Sequence, residues 1–369
     1  MRIRLTIATV ALLLASVNLA VAQQAPQSSN PPAVDGVTGS VDVGVRSESA
    51  TGDEARYERY RDLRSGASSQ ISLGKITDRY MWGFKAENIG YHDQRYILNY
   101  NGGKAKVTGS WDSIPLNYSY LTSTPWVETA TGVFSLDSAA RTAVQNKVAG
   151  VAGVPQSVAQ LATPSIFRGL ATLFDLQSRR DTSAAGLVYN ATSDLAFNLT
   201  FSSAKKHGRQ PYGMSFSFNN ANELPMPLDN RTNDVSAGVE WANTQGMIRL
   251  GWDASWFDNK IHEIIWDNPL RATDTNLYDP SGYSNGNGPA RGRMSMPPSN
   301  SMNVVSSTGL YKMPSHTTIS GTVSFNAMSQ NDALLPWTIN PSSPTRRCTR
   351  RSRHSPRCLA PRPRPACTA

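Results

Sequence analysis

From Thr318 to Ala327 the chain alternates without a break. Ile319, Gly321, Val323, Phe325 and Ala327 fall on one parity, and Thr318, Ser320, Thr322, Ser324 and Asn326 on the other. A period of two sends successive side chains to opposite faces, so this is a strand with one apolar and one polar face. Its length matches the roughly 9–11 residues that a tilted strand uses to cross a bilayer. What the chain does depends on what a sheet of such strands encloses.

The pattern recurs from residue 37 onward. Val37, Gly39, Val41, Val43 and Val45 alternate with Thr38, Ser40, Asp42, Gly44 and Arg46. Tyr80, Trp82, Phe84 and Ala86 share a face, as do Tyr96, Leu98 and Tyr100. Asn101-Gly102-Gly103 signals a tight turn. Ala105, Val107, Gly109 and Trp111 follow, and Leu116, Tyr118 and Tyr120 close the group. Leu195, Phe197, Leu199 and Phe201 form another strand, with Phe216 and Phe218 beyond a turn at Lys205-Lys206-His207-Gly208. Asn219 to Asn233 reads as a polar loop. Val235, Ala237, Val239 and Trp241, then Ile248, Leu250, Trp252, Ala254 and Trp256, flank Asn243-Thr244-Gln245-Gly246 as a hairpin. A long Pro/Gly/Asn/Ser loop spans roughly 267–301. Met302 to Lys312 pairs with the opening stretch.

Two segments interrupt the strands. Asp137 to Val148 has helical composition. Ser165 caps a second candidate helix, with Ile166, Phe167, Leu170, Leu173 and Phe174 at helical spacing and Arg179-Arg180 near its end. A plug, a lid or an extramembrane insertion is open to such a segment, and simple packing against the sheet is the preferred reading.

The count is about twelve to fourteen strands at hairpin spacing, an antiparallel meander. Short turns alternate with a few long loops, and Trp and Tyr gather toward strand ends, as in outer-membrane barrels. The fold class read from this is all-β: an antiparallel up-and-down transmembrane β-barrel, incomplete as given, with a short helical insertion near 136–180. A secreted β-sandwich or propeller is the alternative. Composition agrees with a barrel whose interior is wet: apolar residues are 39% and charged residues 17%, both low for a soluble globular chain.

The formal charge of +9 misleads. Eight arginines lie between Arg346 and Arg364 and two more, Arg2 and Arg4, at the start, which leaves the body near neutral. The high isoelectric point therefore does not argue for nucleic acid. Cys348, Cys358 and Cys367 also lie in this tail, so the body has no thiolate metal site and no haem-attachment motif.

The domain layout follows. Residues 1–22 read as a cleaved signal peptide, with a basic start, an apolar run and Ala20-Val21-Ala22 before Gln23. Residues 23–36 are a flexible lead-in and 37–341 the N-terminal portion of an outer-membrane barrel. Residues 342–369 are a disordered Arg/Pro/Cys tail with the composition of a GC-rich gene read out of frame.

Catalytic and metal motifs fail. His262-Glu263-Ile264-Ile265-Trp266 lacks the second His of a zinc-protease helix, and Gly286-Asn287-Gly288-Pro289-Ala290-Arg291 lacks the last Gly of a dinucleotide loop. Asp253, Asp258 and Asp267 are acids that only the fold can bring together. The reading is of no enzyme, no catalytic residue, no metal and no cofactor bound by this chain.

One motif stands apart: Asp53, Glu54, Arg56, Tyr57, Glu58, Arg59, Tyr60, Arg61, Asp62 and Arg64, between Gly52 and Gly66. Its balanced charges suit a solvated loop or helical turn as well as a partner contact. This motif resembles the N-terminal signature of the MtrB/PioB family of decahaem-associated outer-membrane barrels. Asn88–Tyr96, Leu170–Leu176, Phe218–Glu223, Leu228–Asp234, Pro298–Val305 and Met328–Ala333 resemble the family in the same order. The resemblance covers roughly residues 37–341. It implies a wide barrel in the outer membrane that sheathes a periplasmic multihaem (decahaem) c-type cytochrome, with an extracellular cytochrome as a further partner. Haem then belongs to the partner, and outer-membrane lipid surrounds the barrel. It also raises the partner-contact reading of the Asp53–Arg64 motif.

Two departures matter. Some relatives carry a Cys-x-x-Cys near the N-terminus, which is absent here, and family members are much longer. A small-molecule porin or transporter, and a secreted carbohydrate-binding β-protein, are the rival functions.

Overall fold

The computed structural model describes residues 36–148, 165–215, 221–274, 290–314, 316–336 and 339. The expected signal peptide, nearly all of the lead-in, Phe216, Phe218 and the Arg/Pro tail lie outside these residues.

Fifteen strands are present among the described residues. They are β1 (Thr38–Arg46), β2 (Gly66–Ile76), β3 (Tyr80–Ile89), β4 (Arg95–Gly102), β5 (Ala105–Thr124), β6 (Val127–Ala130), β7 (Val133–Ser135) and β8 (Thr172–Asn190). Then come β9 (Leu195–Ser215), β10 (Ala221–Ala242), β11 (Gly246–Asn259), β12 (Glu263–Asp267), β13 (Arg291–Ser295), β14 (Asn300–Lys312) and β15 (Thr318–Gln330). The helices are α1 (Glu54–Tyr57) and α2 (Ser138–Val148). Among the described residues no helix is long and apolar enough to cross a membrane.

Eleven strands form one antiparallel sheet in the order β1-β2-β3-β4-β5-β8-β9-β10-β11-β14-β15. This is the wall. Partners across an antiparallel ladder share a face, so the register traces rows across it. One row runs Gly39, Leu73, Phe84, Leu98, Gly109, Ala185, Phe201, Val235, Ala254, Asn303 and Ala327. The next joins Val107, Leu187, Leu199, Ala237, Trp252, Val305 and Phe325. The strands' separate alternations are thus one continuous apolar belt. On the other face, Thr108, Gly186, Thr200, Ser236, Asp253, Val304 and Asn326 make a mostly polar row.

The wall is open. β1 and β15 are its outer strands, and every residue of both is exposed. Holding first and eleventh places in an antiparallel series, they run in the same direction. Closing the wall with antiparallel pairs throughout takes an odd number of further strands. The architecture is that of an incomplete up-and-down barrel.

Short turns (77–79, 103–104, 191–194, 243–245) lie at one end, and the three long connections (47–65, 125–171, 260–299) at the other, together with the five-residue connection 90–94. Two long connections build a headpiece. β6, β7, β12 and β13 pair in a four-stranded sheet, order β13-β12-β7-β6, beside α2. Its core joins Phe134, Ile261, Ile264, Trp266 and Met296 to Met214, Leu224, Met226 and Leu228 of the wall. These wall residues lie on the far ends of β9 and β10 and continue the alternation of the polar face. A second cluster holds Leu136, Ala140, Val144, Phe167 and Leu270.

The structure corrects several sequence expectations. The helix starting at Ser165 stops at Leu170, and Thr172 onward is β8, paired with β5 and β9. Its outward positions turn polar at Ser183, Asp181 and Arg179, which hides the period of two. Lys205–Gly208 is no turn: β9 runs through it, and Gly208 absorbs the bend at φ +113°. Asn219–Asn233 is not a loop from Ala221 on, because Leu224, Met226 and Leu228 alternate into the headpiece core. β2, with Ile71 and Leu73 on the belt alternation, was not anticipated either.

Candidate functional site

The wall offers two faces and the Asp53–Arg64 segment. The apolar belt spans Ile248 to Trp256 on β11, nine residues, which fits the roughly 9–11 of a tilted membrane strand. Aromatic rings border it. Tyr80 and Tyr100 stack 6.1 Å apart toward the short turns, with Tyr189, Trp241 and Tyr311 near the same end. Tyr96 and Trp111, 5.5 Å apart, stand toward the long connections with Trp256. The polar face carries Lys85, Arg95, Lys106 and Arg249 against Glu87, Asp112, Asp234, Glu240 and Asp253 among hydroxyls and amides. It is polar and close to charge balance.

The Asp53–Arg64 segment occupies a free edge. β4 stops pairing with β5 at Arg95 and Asp112. Beyond that point the Ser113 N–H donates to Gln94 O and the Asn117 N–H to Arg59 O, both at 3.0 Å. Asn117 Nδ2 also donates to Glu58 O at 2.7 Å. The segment thus covers backbone groups that β4 leaves bare. Asp53 caps α1 by accepting from the Arg56 N–H at 3.0 Å.

The motif divides into two sets. Glu58 and Asp62 are buried. Tyr120 donates to Glu58 Oε2 at 3.0 Å, while Glu58 Oε1 has no hydrogen-bond partner among the described residues. Asp62 receives the His92 N–H at 2.7 Å and pairs with Arg64 at 3.2 Å. Asp53, Glu54, Arg56, Tyr57, Arg59, Tyr60, Arg61 and Arg64 are exposed. Burial pushes the Glu58 carboxyl above its ordinary value; the Tyr120 hydrogen bond opposes this, and Glu48, Glu54 and Asp62 add repulsion. Burial and the Glu58 bond together raise the Tyr120 hydroxyl. Burial also raises Asp93 nearby.

The headpiece is locked by a buried ion pair that sequence reasoning missed. Arg141 on α2 meets Asp267 at 3.1 Å and donates to the carbonyls of Asn268, Arg271 and Ala290. Asp267 also accepts from Arg291 and from the Leu136 N–H, each at 3.0 Å. Positions so far apart in sequence carry no local signal of this pairing.

The three acids singled out in the sequence are not brought together. Asp253 lies on the polar face, Asp258 faces outward beyond the belt, and Asp267 is buried in the headpiece. Glu263 opens β12 rather than a helix, with His262 just before the strand. Among the described residues no group of three or more His, Cys, Asp or Glu is placed to hold a metal ion.

A family profile described as "Putative outer membrane beta-barrel porin, MtrB/PioB" matches residues 50–352. No curated protein matches the chain. Among solved structures, the chain is similar to the CymD monoaromatic hydrocarbon channel, at 12% identity and TM-score 0.26 over 79% of this chain and 73% of that one. It is similar to OmpT, an outer membrane protein of Vibrio cholerae, at 8% identity and TM-score 0.26 over 71% and 64%. For the Ralstonia pickettii toluene transporter TbuX the values are 11% and 0.23 over 80% and 76%.

Proposed function

Because the chain belongs to the MtrB/PioB family of outer-membrane β-barrel porins, we propose that it is the barrel component of a porin–cytochrome conduit. In this reading the wall sheathes a periplasmic multihaem c-type cytochrome, and electrons cross the outer membrane through the partner's haems. An extracellular cytochrome extends the chain of carriers. The protein itself binds no cofactor and catalyses nothing. It supplies an insulating wall and a position. The leader of residues 1–22 directs export and is cleaved.

The observation that carries this reading is the span of the wall. Eleven antiparallel strands run in register without closing. Barrel diameter grows with strand number, and eleven strands already in register suit the wide lumen that this reading needs. A polar, nearly charge-balanced inner face suits a protein surface inside that lumen. The exposed cations and rings of Arg56, Tyr57, Arg59, Tyr60 and Arg61 are the contact assigned to the partner where it reaches through the lumen to the long-connection end, while Glu58 and Asp62 hold the segment in place.

The test isolates the chain from solubilised outer membranes and reads haem absorbance. A multihaem cytochrome is expected to co-purify, and vesicles holding both proteins are expected to pass electrons to an enclosed acceptor. Arg59→Ala with Arg61→Ala is expected to weaken the co-purification. Solute leakage with no haem retained overturns the conduit in favour of a small-molecule porin.

A further inference from the structure

Beyond the apolar belt the outward alternation of the wall becomes charged, and the register fixes which charges meet. On the long-connection side of the Trp111–Ser183–Ser203–Asn233–Trp256 row comes Ser113–Asp181–Lys205–Arg231–Asp258. The row beyond it is Pro115–Arg179–His207–Asp229. Lys205 stands directly opposite Arg231, and Arg179 directly opposite His207. Like charges placed opposite each other across a ladder repel, and Lys205 with Arg231 is such a pair, with Arg179 and His207 in the next row on the same three adjacent strands.

The acids present relieve this only in part. Asp181 serves Arg179 at 3.2 Å and His207 at 3.1 Å, and also accepts from Ser113. Asp229 reaches Lys205 at 3.8 Å, and Asp258 is taken by Lys260 at 2.8 Å. Arg231 forms no ion pair among the described residues; it donates to Ser203 Oγ at 3.3 Å. Lys206 and Arg180, the neighbours of these cations in sequence, fall on the polar inner alternation and do not join the patch.

We propose that Arg179, Lys205, His207 and Arg231 form an outward-facing site for the phosphate headgroups of outer-leaflet glycolipid. The belt fixes the level. Its aromatic border on this side is Trp111 and Trp256, so the next two rows stand where headgroups begin. Short turns on the periplasmic side and long connections outside are the habit of outer-membrane barrels, which puts the patch at the outer leaflet. A phosphate seated between Lys205 and Arg231 neutralises the opposed pair and gives each cation charge-assisted hydrogen bonds. The site rests on the belt being lipid-facing and not on the cytochrome.

The full chain is refolded into phosphatidylcholine vesicles with and without lipopolysaccharide, and lipopolysaccharide retained per chain is measured after flotation. The natural chain is expected to retain it in a salt-sensitive way. Lys205→Gln with Arg231→Gln is expected to weaken retention by about fivefold for each cation removed. Arg180→Gln with Lys206→Gln is expected to leave it unchanged. Equal retention by the first double variant, or equal loss by the second, overturns the site. Displacement by inorganic phosphate at equal phosphate concentration shows a free-anion site and overturns the lipid assignment. A natural chain that fails to float with plain phosphatidylcholine vesicles overturns the lipid-facing belt and the site together.

Discussion

The wall and the headpiece are built for different solvents. Among the described residues, the headpiece core holds Ile264 and Val144 at no exposure and Phe134 at 2%, whereas Val323 and Phe325 of the wall stand 77% and 72% exposed. The headpiece folds as a soluble protein does, by removing apolar side chains from water. The wall buries few side chains in protein. Its order comes from backbone ladders, and its apolar rows await a surrounding that the chain does not supply. The buried Arg141–Asp267 pair belongs to the first regime, where an unpartnered charge is costly. The exposed belt belongs to the second, where the cost falls on a charge pointed at lipid.

The contrast can be broken from either side. Arg141→Met leaves Asp267 buried with only Arg291 as counter-charge. It is expected to destabilise the headpiece by about 3–5 kcal/mol. Trp126 and Trp266 fluorescence and limited proteolysis should report the loss while the sheet signal in circular dichroism persists. If the sheet melts with the headpiece, the two regions are one cooperative unit. Leu199→Arg, on the belt, is expected to cost about 2–4 kcal/mol of folding into vesicles. Asn198→Arg, one residue away on the polar face, should cost little. Equal costs at the two positions would abolish the distinction between faces.

The junction between the regions gives a smaller effect. Gly208 bends β9 where it leaves the wall, and a Cβ there would sit 2.6 Å from Gln177 O. Gly208→Ala is expected to cost about 1–3 kcal/mol, read as loosened packing of Met214 and Leu224 with the belt intact. The smallest effect is a pH response of the docked α1 segment. The folded Glu58 carboxyl titrates above its ordinary value of 4.5. Docking is therefore strongest below that value and weakens as pH rises through the raised one. Glu58→Gln should flatten this dependence, measured as tryptic cleavage at Arg59 and Arg61 between acid and neutral pH. Asp93, raised in the same direction, should keep some slope in the variant.

Most strands of the wall were legible where both alternations kept their character, β2 with its many serines being an exception. The hairpin of β10 and β11 and the pairing of β14 with β15 are where the alternation puts them, because each residue there meets either lipid or the wet face. β8 and the first half of β10 were not legible. Those stretches leave the membrane level, so Asp181, Arg179 and Arg231 occupy positions that are apolar lower on the same strands. The Asp53–Arg64 motif stood out by composition, but its division into buried Glu58 and Asp62 and exposed Arg and Tyr did not. That division depends on where β4 ends beside β5.

The sequence by itself determined the membrane-spanning alternation, the all-β class and the family, since a period of two and short ordered motifs are local properties. The tertiary structure alone decided the headpiece, the Arg141–Asp267 lock and the opposition of Lys205 to Arg231. Each requires residues tens to more than a hundred positions apart to meet. Ladder register and the packing of separate connections set such meetings, and neither is written in any single stretch of chain.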